Sequence, residues 1–348
     1  MRRQTFTFDL LTPLLSGGAR PAAQAEIRGP AIRGQLRWWF RVLGGFRSMA
    51  ATPLAAQEQQ IFGSARPGER RPSVLRIQLD AAGSSSLSSR AAIGADDLQG
   101  LAGADAEYLF FTLRQNRRAG FGLADGPVQF RMDLIWTGED RLWEDILALA
   151  AVFGQWGALG YRSRRTLGAL AMAGNPPSLA SALARFRTPD MVVARQLPAR
   201  DRADAVRKLA RWLKGWRHHG RSQDVVAGRC GPGFPWVRQD HDAGLRLHGG
   251  PVFRAALGLP IHQRYTQGQL ADWTWQAGRT QAEQGRFASP VILRPYRSAS
   301  GQWAGLILFI DAQRWPAGRK AHLQGRPVPV SLELYDAMKR DESLRPAL

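Results

Sequence analysis

The stretch from residue 27 to residue 43, IRGPAIRGQLRWWFRVL, limits the fold of this chain more than any other segment. A break at Gly29 and Pro30 ends one element and allows a helix to begin. The apolar residues after the break have the spacing of one helix face: Ile32, Leu36, Trp39, Phe40 and Leu43. We therefore expect one side of this helix to be buried in a core.

Basic residues form a second stripe on the same predicted helix. Arg33, Arg37 and Arg41 recur every four residues, and Trp38 lies between the basic and the apolar stripes. The planar guanidinium suits phosphate, and an indole ring can stack on a base. We rank Arg33 and Arg37 above Arg41 as contacts, because they lie nearer the helix N-terminus, where backbone amides also attract phosphate. The alternative is a solvated surface helix.

The formal net charge of +20 favours a polyanionic partner, because cations that neutralise phosphates release bound counterions. Only four of the 48 basic residues are Lys, a bias that fits a high-GC genome. That bias explains the choice of Arg over Lys but not the shortage of acidic residues. Nucleic acid is therefore the leading partner.

The apolar segments and the cysteine content favour a cytoplasmic protein. The sequence has no apolar run of about 18 residues, so we expect no membrane span and no membrane partner. Cys230 is the only cysteine, which argues against an intrachain disulfide and a cysteine metal cluster. Both features are typical of a reducing, cytoplasmic setting.

Alternating apolar and polar residues predict four strands in the first half of the chain, at residues 5–11, 74–80, 107–114 and 128–136. Besides the helix above, helical spacing predicts a second helical segment around residues 58–61 and a helix at 142–156. Residues 81–105, rich in Ser, Gly and Ala, are expected to form a loop or a weakly ordered insert. The order of elements resembles a ferredoxin-like, or RRM-like, split βαβ unit, and the predicted class is α+β.

The sequence Asn-Pro-Pro-Ser at residues 175–178 is a natural boundary. We therefore predict an N-terminal ferredoxin-like unit at residues 1–175 and a C-terminal one at residues 176–348. The C-terminal unit has a basic amphipathic helix at residues 202–216 and an irregular insert at about 218–250. Its candidate strands are at residues 290–293, 306–310 and 328–334.

Residues 157–168, GALGYRSRRTLG, form a second basic cluster. Glycines allow positive φ and close approach of the backbone, so this loop can present amide groups to a phosphate. Arg162, Arg164 and Arg165 place three cations within four residues, and Tyr161 is available for stacking. The segment lacks the Gly-Lys-Ser/Thr ending of a Walker loop. Repulsion among three adjacent cations favours a phosphate-facing role over a solvated turn.

Patterns of catalytic or metal-binding residues are weak. His218 and His219 are the candidates for a general acid or base, in an insert that also contains His241 and His248. Their spacing is not that of metal ligands on a helix, so we predict neither a metal site nor another cofactor.

Several motifs, in order along about 280 residues, resemble those of the RAMP superfamily of CRISPR proteins. In the first half they are TPLLSGGA at residues 12–19, AIRGQLRWWFRVL at 31–43, QIFGS at 60–64 and GYRSRRTLG at 160–168. In the second half they are ALGLPI at 256–261 and RFASPVILRP at 286–295. Within the superfamily, the chain most resembles the family of the first Cmr subunit of the type III-B RAMP module.

This resemblance implies a pair of ferredoxin-like units joined by glycine-rich loops. It also implies RNA binding within a multisubunit, guide-RNA-directed interference complex, with guide RNA, target RNA and the other subunits as partners. Arg286, at the start of RFASPVILRP, is added as a predicted RNA contact. The chain departs from the family pattern at Thr166 and Leu167, where we would expect a glycine followed by an aromatic residue.

The leading prediction is a non-catalytic RNA-binding subunit of a type III-B CRISPR ribonucleoprotein complex of antiviral defence. It would hold guide RNA, target RNA or both mainly by the phosphate backbone, with the six arginines of the two clusters lining one groove between the two halves. Two alternatives stay open. One is a metal-independent endoribonuclease that processes guide RNA, and the other is a scaffold whose basic surface docks other subunits.

Overall fold

The structure, a computed structural model, describes residues 1–17, 25–80, 107–110, 120–121, 128–219, 228, 230–245, 250–264, 270–276, 284–285, 287–323 and 326–347. The described residues combine helices with antiparallel strands, which confirms the predicted α+β class. None of the helices in these residues combines the length and the hydropathy that crossing a bilayer requires.

The α-helices of the described residues, in chain order, are α1 (Gly29–Val42), α2 (Leu54–Phe62), α3 (Glu107–Phe110), α4 (Trp143–Trp156), α5 (Leu179–Leu183), α6 (Arg202–Arg217), α7 (Phe234–Gly244) and α8 (Glu333–Lys339). The strands are β1 (Arg2–Leu10), β2 (Leu14–Leu15), β3 (Leu75–Leu79), β4 (Gly120–Phe121), β5 (Val128–Trp136), β6 (Leu170–Met172), β7 (Val192–Ala199), β8 (Ile261–Arg264), β9 (Leu270–Gln276), β10 (Gln284–Gly285), β11 (Val291–Arg297), β12 (Trp303–Ile310), β13 (Lys320–Leu323), β14 (Arg326–Pro329) and β15 (Arg345–Pro346).

The chain divides into two compact units. The first consists of Met1–Leu209, Leu293–Ile307 and Pro346–Leu348, and the second of Ala210–Ile292 and Leu308–Arg345. The division predicted between residues 175 and 176 from the Asn-Pro-Pro-Ser sequence stays a prediction.

Four strands form the first sheet, in the order β3-β5-β1-β6. Each neighbouring pair is antiparallel: Phe8 of β1 lies opposite Phe130 of β5 and Met172 of β6, and Ile77 of β3 lies opposite Leu134. A second four-stranded sheet has the order β11-β12-β7-β15, and β2 pairs with β4. The N-terminal strand is therefore central in the first sheet.

Alternation along the strands gives the first sheet one apolar and one polar face. On β5, the side chains of Phe130 and Met132 are buried, whereas Arg131 between them is exposed. On β1, Phe8 is buried on the face of Phe130, and its ring stacks on that ring at a centroid distance of 5.2 Å. Only the apolar face can be covered by helices without burying charge.

Helices α1 and α4 cover that apolar face. The ring of Phe153 on α4 packs edge-on against Phe8, with centroids 5.9 Å apart. The ring centroid of Trp39 on α1 lies 5.8 Å from that of Trp156 at the end of α4. The apolar stripe predicted for α1 is buried, and the helix begins at Gly29 with Pro30 in its first turn. The predicted helix is therefore confirmed.

The second unit has its own sheet, in the order β10-β9-β13-β14, with β8 paired to β9. Helix α7 is anchored by a buried carboxylate on Asp240. This carboxylate accepts hydrogen bonds from the backbone N of Phe253 at 2.7 Å and of Arg254 at 2.8 Å, and from Nε of Arg254 at 3.0 Å. Charge-assisted bonds of this kind satisfy the buried acid.

Three predictions of secondary structure were wrong in part. The strand expected at residues 107–114 begins as helix α3, and residues 111–114 lie outside the described residues. The strand expected at residues 328–334 ends at Pro329, and α8 begins at Glu333. The insert at about residues 218–250 contains the 11-residue helix α7.

Candidate nucleic-acid interface

Two of the three arginines of α1 lie beside an acidic residue of α2. Nε of Arg37 donates a hydrogen bond to Oε1 of Glu58, and Nε of Arg41 lies 3.9 Å from Oε2 of the same carboxylate. The Glu58 side chain is only 11% exposed, whereas that of Arg41 is 52% exposed. Arg33 is exposed and, among the described residues, has no ion-pair partner. Two of the three cations of the stripe thus share one negative charge.

The glycine-rich loop at residues 157–168 is closed on itself and held against the segment after β1. The backbone N of Leu159 donates to the carbonyl oxygen of Gly168 at 2.9 Å, and the N of Gly168 donates to that of Pro13 at 2.9 Å. The N of Tyr161 donates to the carbonyl oxygen of Leu15 at 2.7 Å. Two motifs that are about 150 residues apart in the sequence therefore form one backbone network.

Glycine is required at two positions of this loop. Gly160 and Gly168 have φ angles of +78° and +63°, which L side chains rarely adopt. A Cβ at Gly160 would lie 2.4 Å from the carbonyl oxygen of Leu15, and one at Gly168 would lie 2.0 Å from that of Leu159. Both neighbours are backbone atoms, so neither can move aside alone.

Thr12 connects the first motif to the loop through its side chain. Its buried Oγ1 donates to the carbonyl oxygen of Thr166 at 2.6 Å and accepts from the backbone N of Ala169 at 3.0 Å. The sequence contains no local sign of this role, because the partner atoms are more than 150 residues away.

Thr166 and Arg162 adopt the left-handed backbone conformation, with φ of +74° and +61°. For a β-branched residue such as Thr166 this conformation is strained, and strain of this kind costs on the order of 1–3 kcal/mol. The Oγ1 of Thr166 is buried and has no hydrogen-bond partner among the described residues. The position where the family pattern predicts glycine thus has a glycine-like φ in this chain.

The three loop arginines have different surroundings. Nη2 of Arg162 donates to the carbonyl oxygen of Leu109 in α3. Arg165 is buried, and its Nη1 donates to the carbonyl oxygen of Arg164 at 2.9 Å. Arg164 is half-buried, and burial lowers the pKa of its guanidinium to about 10, which leaves it a cation at neutral pH.

Arg164 joins the loop to α1 through Trp38. The guanidinium carbon of Arg164 lies 5.0 Å from the centroid of the Trp38 ring and over its face, which is the geometry of a cation–π interaction. Trp38 packs edge-on against Trp39, with centroids 4.8 Å apart. The two basic clusters predicted from the sequence therefore meet at one pair of side chains in the first unit.

Arg294 of β11, which was not predicted as a site residue, anchors both ends of the loop. Its side chain is completely buried. Nη1 donates to the carbonyl oxygen of Gly157 at 2.7 Å, and Nη2 donates to that of Leu170. Burial lowers the pKa of Arg294 to about 9, so the group is still charged at neutral pH. An Arg inside an otherwise apolar strand, VILRPY, is the sequence signal that could have identified it.

The remaining predicted site residues lie either in the second unit or outside the described residues. Arg286 lies outside the described residues. His218 and His219 belong to the second unit, where the ring of His219 stacks on His241 at a centroid distance of 4.1 Å. Within the described residues, no group of three or more His, Cys, Asp or Glu side chains has the arrangement of a metal site.

Known proteins share this architecture. Residues 7–171, which include both basic clusters, match the family model of the RAMP superfamily. This match confirms the resemblance to the RAMP superfamily that the sequence motifs predict.

The chain is also similar to Cmr1 proteins. It is 29% identical over 183 residues to the CRISPR system Cmr subunit Cmr1-2 of Pyrococcus furiosus, covering 49% of this chain and 95% of that protein. The crystal structure of Cmr1 from Pyrococcus furiosus in its apo form has the same fold, with a TM-score of 0.54 and 16% identity over 97% of this chain and 96% of that chain. A chain of the type III-B Cmr-beta structure bound to cognate target RNA gives a TM-score of 0.50 and 11% identity, covering 96% of this chain and 97% of that chain.

Proposed function

We propose that this chain is an RNA-binding subunit of a type III-B CRISPR interference complex, and that it binds without catalysing a reaction. It contacts guide RNA, target RNA or both, mainly through the phosphate backbone. The observation that carries the proposal is the contact between Arg164 and Trp38, because it joins the two basic clusters into one surface. The net charge of +20 and the Cmr subunit among its relatives support the same role.

The arrangement of cations favours backbone contact over base reading. Arg33 and Arg41 are exposed, and Arg164 holds its guanidinium in a fixed place over an indole ring. A positioned guanidinium presents a planar fork of N–H donors, which fits the oxygens of a phosphate. Each phosphate that is neutralised releases counterions, so binding should weaken as salt is added.

The first unit is, we infer, a ferredoxin-like unit. Its elements run β1, α1, β3, β5, α4 and β6, a βαββαβ order once the short intervening elements are set aside. The antiparallel order β3-β5-β1-β6 supports this assignment, because the two helices then cover one face of the sheet. In the proposed complex, which we expect in the cytoplasm, the other Cmr subunits and the two RNA strands are its partners.

The salt dependence of RNA binding tests this proposal. We expect Arg33→Ala and Arg164→Ala each to weaken binding of a short single-stranded RNA several-fold. Each should also reduce the slope of log affinity against log salt by about 0.7, the contribution of one phosphate contact. Arg164→Lys, which keeps the charge, should retain most of the slope.

Arg131→Ala is the matched control, because Arg131 is exposed on the face of the first sheet opposite α1 and, in the described residues, has no ion pair. Affinity is measured by fluorescence anisotropy at several salt concentrations, with guide and target strands separately. An unchanged slope in both the Arg33→Ala and Arg164→Ala proteins would contradict the proposal, as would an equal loss in Arg131→Ala.

Metal-independent cleavage of guide RNA is a second candidate function, favoured by the stacked imidazoles of His219 and His241 in the second unit. Nδ1 of His241 lies 3.6 Å from Oδ1 of Asp242. Burial lowers the pKa of His241 more than Asp242 raises it, so this imidazole is neutral and able to accept a proton at pH 7. Cleavage of repeat RNA in EDTA that is lost in a His218→Ala, His219→Ala double variant would favour this function.

A further inference from the structure

A cavity of about 450 Å³ lies at the β1–β6 side of the first sheet, within the first unit. Its floor is formed by Asp9, Gln155 and Arg297, and Tyr296 is part of its lining. Exposed residues of the loop after β6 and of the β11–β12 turn form its rim, among them Ser178 and Gly301. This volume is within the range of roughly 300–1,000 Å³ that is typical of small-molecule sites.

The floor of the cavity is electrically balanced. Nη2 of Arg297 donates a hydrogen bond to Oδ2 of Asp9, a residue that is only 5% exposed. Oδ1 of Asp9 accepts from Nε2 of Gln129 at 2.7 Å. The Arg297 guanidinium carbon also lies 5.9 Å from the centroid of the Trp303 ring. A free anion would meet the carboxylate of Asp9 and a free cation would meet Arg297, so the floor favours a neutral group.

The same floor offers both hydrogen-bond donors and acceptors. A carboxylate has about four lone-pair sites, of which Asp9 uses two, and a guanidinium has five N–H donors, of which Arg297 uses one here. Nε2 of Gln155 donates to the carbonyl oxygen of Pro177 at 2.9 Å, and its Oε1 has no partner among the described residues. Tyr296, half-buried, is the aromatic residue among the lining residues.

We propose that this cavity holds one nucleoside of a bound single-stranded RNA, with its base against Tyr296 and its polar edge facing Asp9, Gln155 and Arg297. A nucleobase is neutral, carries donors and acceptors along one edge and has a flat face that stacks on an aromatic ring. The phosphates on either side stay outside, toward solvent. The site rests on the proposed RNA binding and adds a base contact to it.

Photocrosslinking locates the base directly. Single-stranded RNA that contains 4-thiouridine is bound to the full-length protein and irradiated, and the crosslinked peptides are identified by mass spectrometry. We expect a crosslink on the peptide that contains Tyr296. Crosslinks confined to other peptides would overturn the proposal.

Variants separate this site from the phosphate contacts. Tyr296→Ala should weaken binding of single-stranded RNA about 10-fold, as expected for one lost stacking contact, without changing the salt slope. It should leave binding of an abasic oligonucleotide of the same length unchanged. Tyr296→Phe keeps the ring and should restore affinity for RNA with bases, and Gln302→Ala, an exposed change on the same turn, should behave as the unaltered protein. If Tyr296→Ala lost the same affinity for the abasic oligonucleotide as for the RNA, the base contact would be contradicted.

Free nucleosides distinguish failure of this inference from failure of the proposed function. Adenosine, guanosine, cytidine and uridine carry no phosphate, so their binding, followed by ligand-observed NMR, does not depend on the arginines of α1 or of the loop. Nucleoside signals that disappear in Tyr296→Ala would support the cavity even if RNA binding failed. If the protein binds RNA with the expected salt dependence but binds none of the four nucleosides, the proposed nucleoside site is wrong and the proposed function still holds.

Discussion

The arginines of α1 and those of the glycine-rich loop look alike in the sequence but have different partners in the structure. Arg37 and Arg41 lie beside the carboxylate of Glu58, whereas Arg162 and Arg165 donate to backbone carbonyl oxygens. A carboxylate cancels a positive charge, but a carbonyl oxygen orients a guanidinium and leaves its charge in place. The described contacts of the two clusters therefore differ in kind: those of α1 include ion pairs, and those of Arg162 and Arg165 orient guanidiniums toward backbone oxygens.

The two clusters also differ in what positions their arginines: local helix geometry in α1, and residues distant in the sequence in the loop. The α1 arginines are placed by helix geometry, and an exposed ion pair such as that of Arg41 contributes no more than about 1 kcal/mol. The loop arginines are placed by a backbone path that depends on Arg294, Thr12 and two glycines. Changes around the loop should therefore have larger effects than changes around α1.

The largest effect is expected from Arg294→Met, which removes the anchor at both ends of the loop. The carbonyl oxygen of Leu170 would lose a charged, buried donor, and that of Gly157 would keep only the backbone N of Leu170 at 3.4 Å. A buried group left unsatisfied costs about 1–3 kcal/mol. We expect the free energy of unfolding to fall by about 2–4 kcal/mol and RNA affinity to fall with it. Urea denaturation followed by Trp fluorescence measures the first and anisotropy the second. Unchanged stability would mean that the loop holds its path without Arg294.

A smaller effect, of opposite sign, is expected from Thr166→Val. Val has nearly the same shape, so the strained φ of +74° is kept, but the buried hydroxyl without a partner is removed. We expect stability to rise by about 1 kcal/mol. Thr12→Val is the contrasting variant, because its hydroxyl makes two hydrogen bonds, and it should lower stability. A loss of stability in Thr166→Val would show that its hydroxyl has a role in the loop.

The smallest effect on stability is expected from Glu58→Gln, which frees the α1 arginines from a charged partner. Stability should fall by less than about 1 kcal/mol, since Arg37 and Arg41 are 39% and 52% exposed. RNA affinity should rise, and the salt slope should steepen by up to about 0.7 for each guanidinium that gains a phosphate. Binding at several salt concentrations measures both. A weaker slope would mean that Glu58 positions the arginines for RNA.

Strongly periodic segments were predictable from the sequence. The stripes of α1, the helix α4 and the alternation of β5 each follow from side-chain spacing, which fixes the face that a residue occupies. Residues 107–114, EYLFFTLR, were misassigned because a short apolar run fits a strand and a helix alike. The run at residues 328–334 was misassigned because Oγ of Ser331 accepts a hydrogen bond from the backbone N of Glu333, which favours the start of α8.

The site was predictable only as two separate basic clusters. Periodicity shows that Arg37 points away from the core. It does not show that Arg37 contacts Glu58, which is 21 residues later in the sequence and lies on another helix. The contact between Trp38 and Arg164 depends on how the chain folds back, which no local pattern encodes. Helix α7 was missed for a similar reason, because Asp240 is a buried charge whose partner, Arg254, lies beyond the helix.

The central place of β1 in the first sheet has a consequence for the order in which a newly made chain can fold. Its neighbours are β5, which begins at Val128, and β6, which ends at Met172. At a synthesis rate of about 5–20 residues per second, the ribosome needs roughly 6–26 s after making Phe8 to complete β5 at Trp136. During that interval the N-terminal strand has no sheet to join, and its apolar side chains must be kept from premature association.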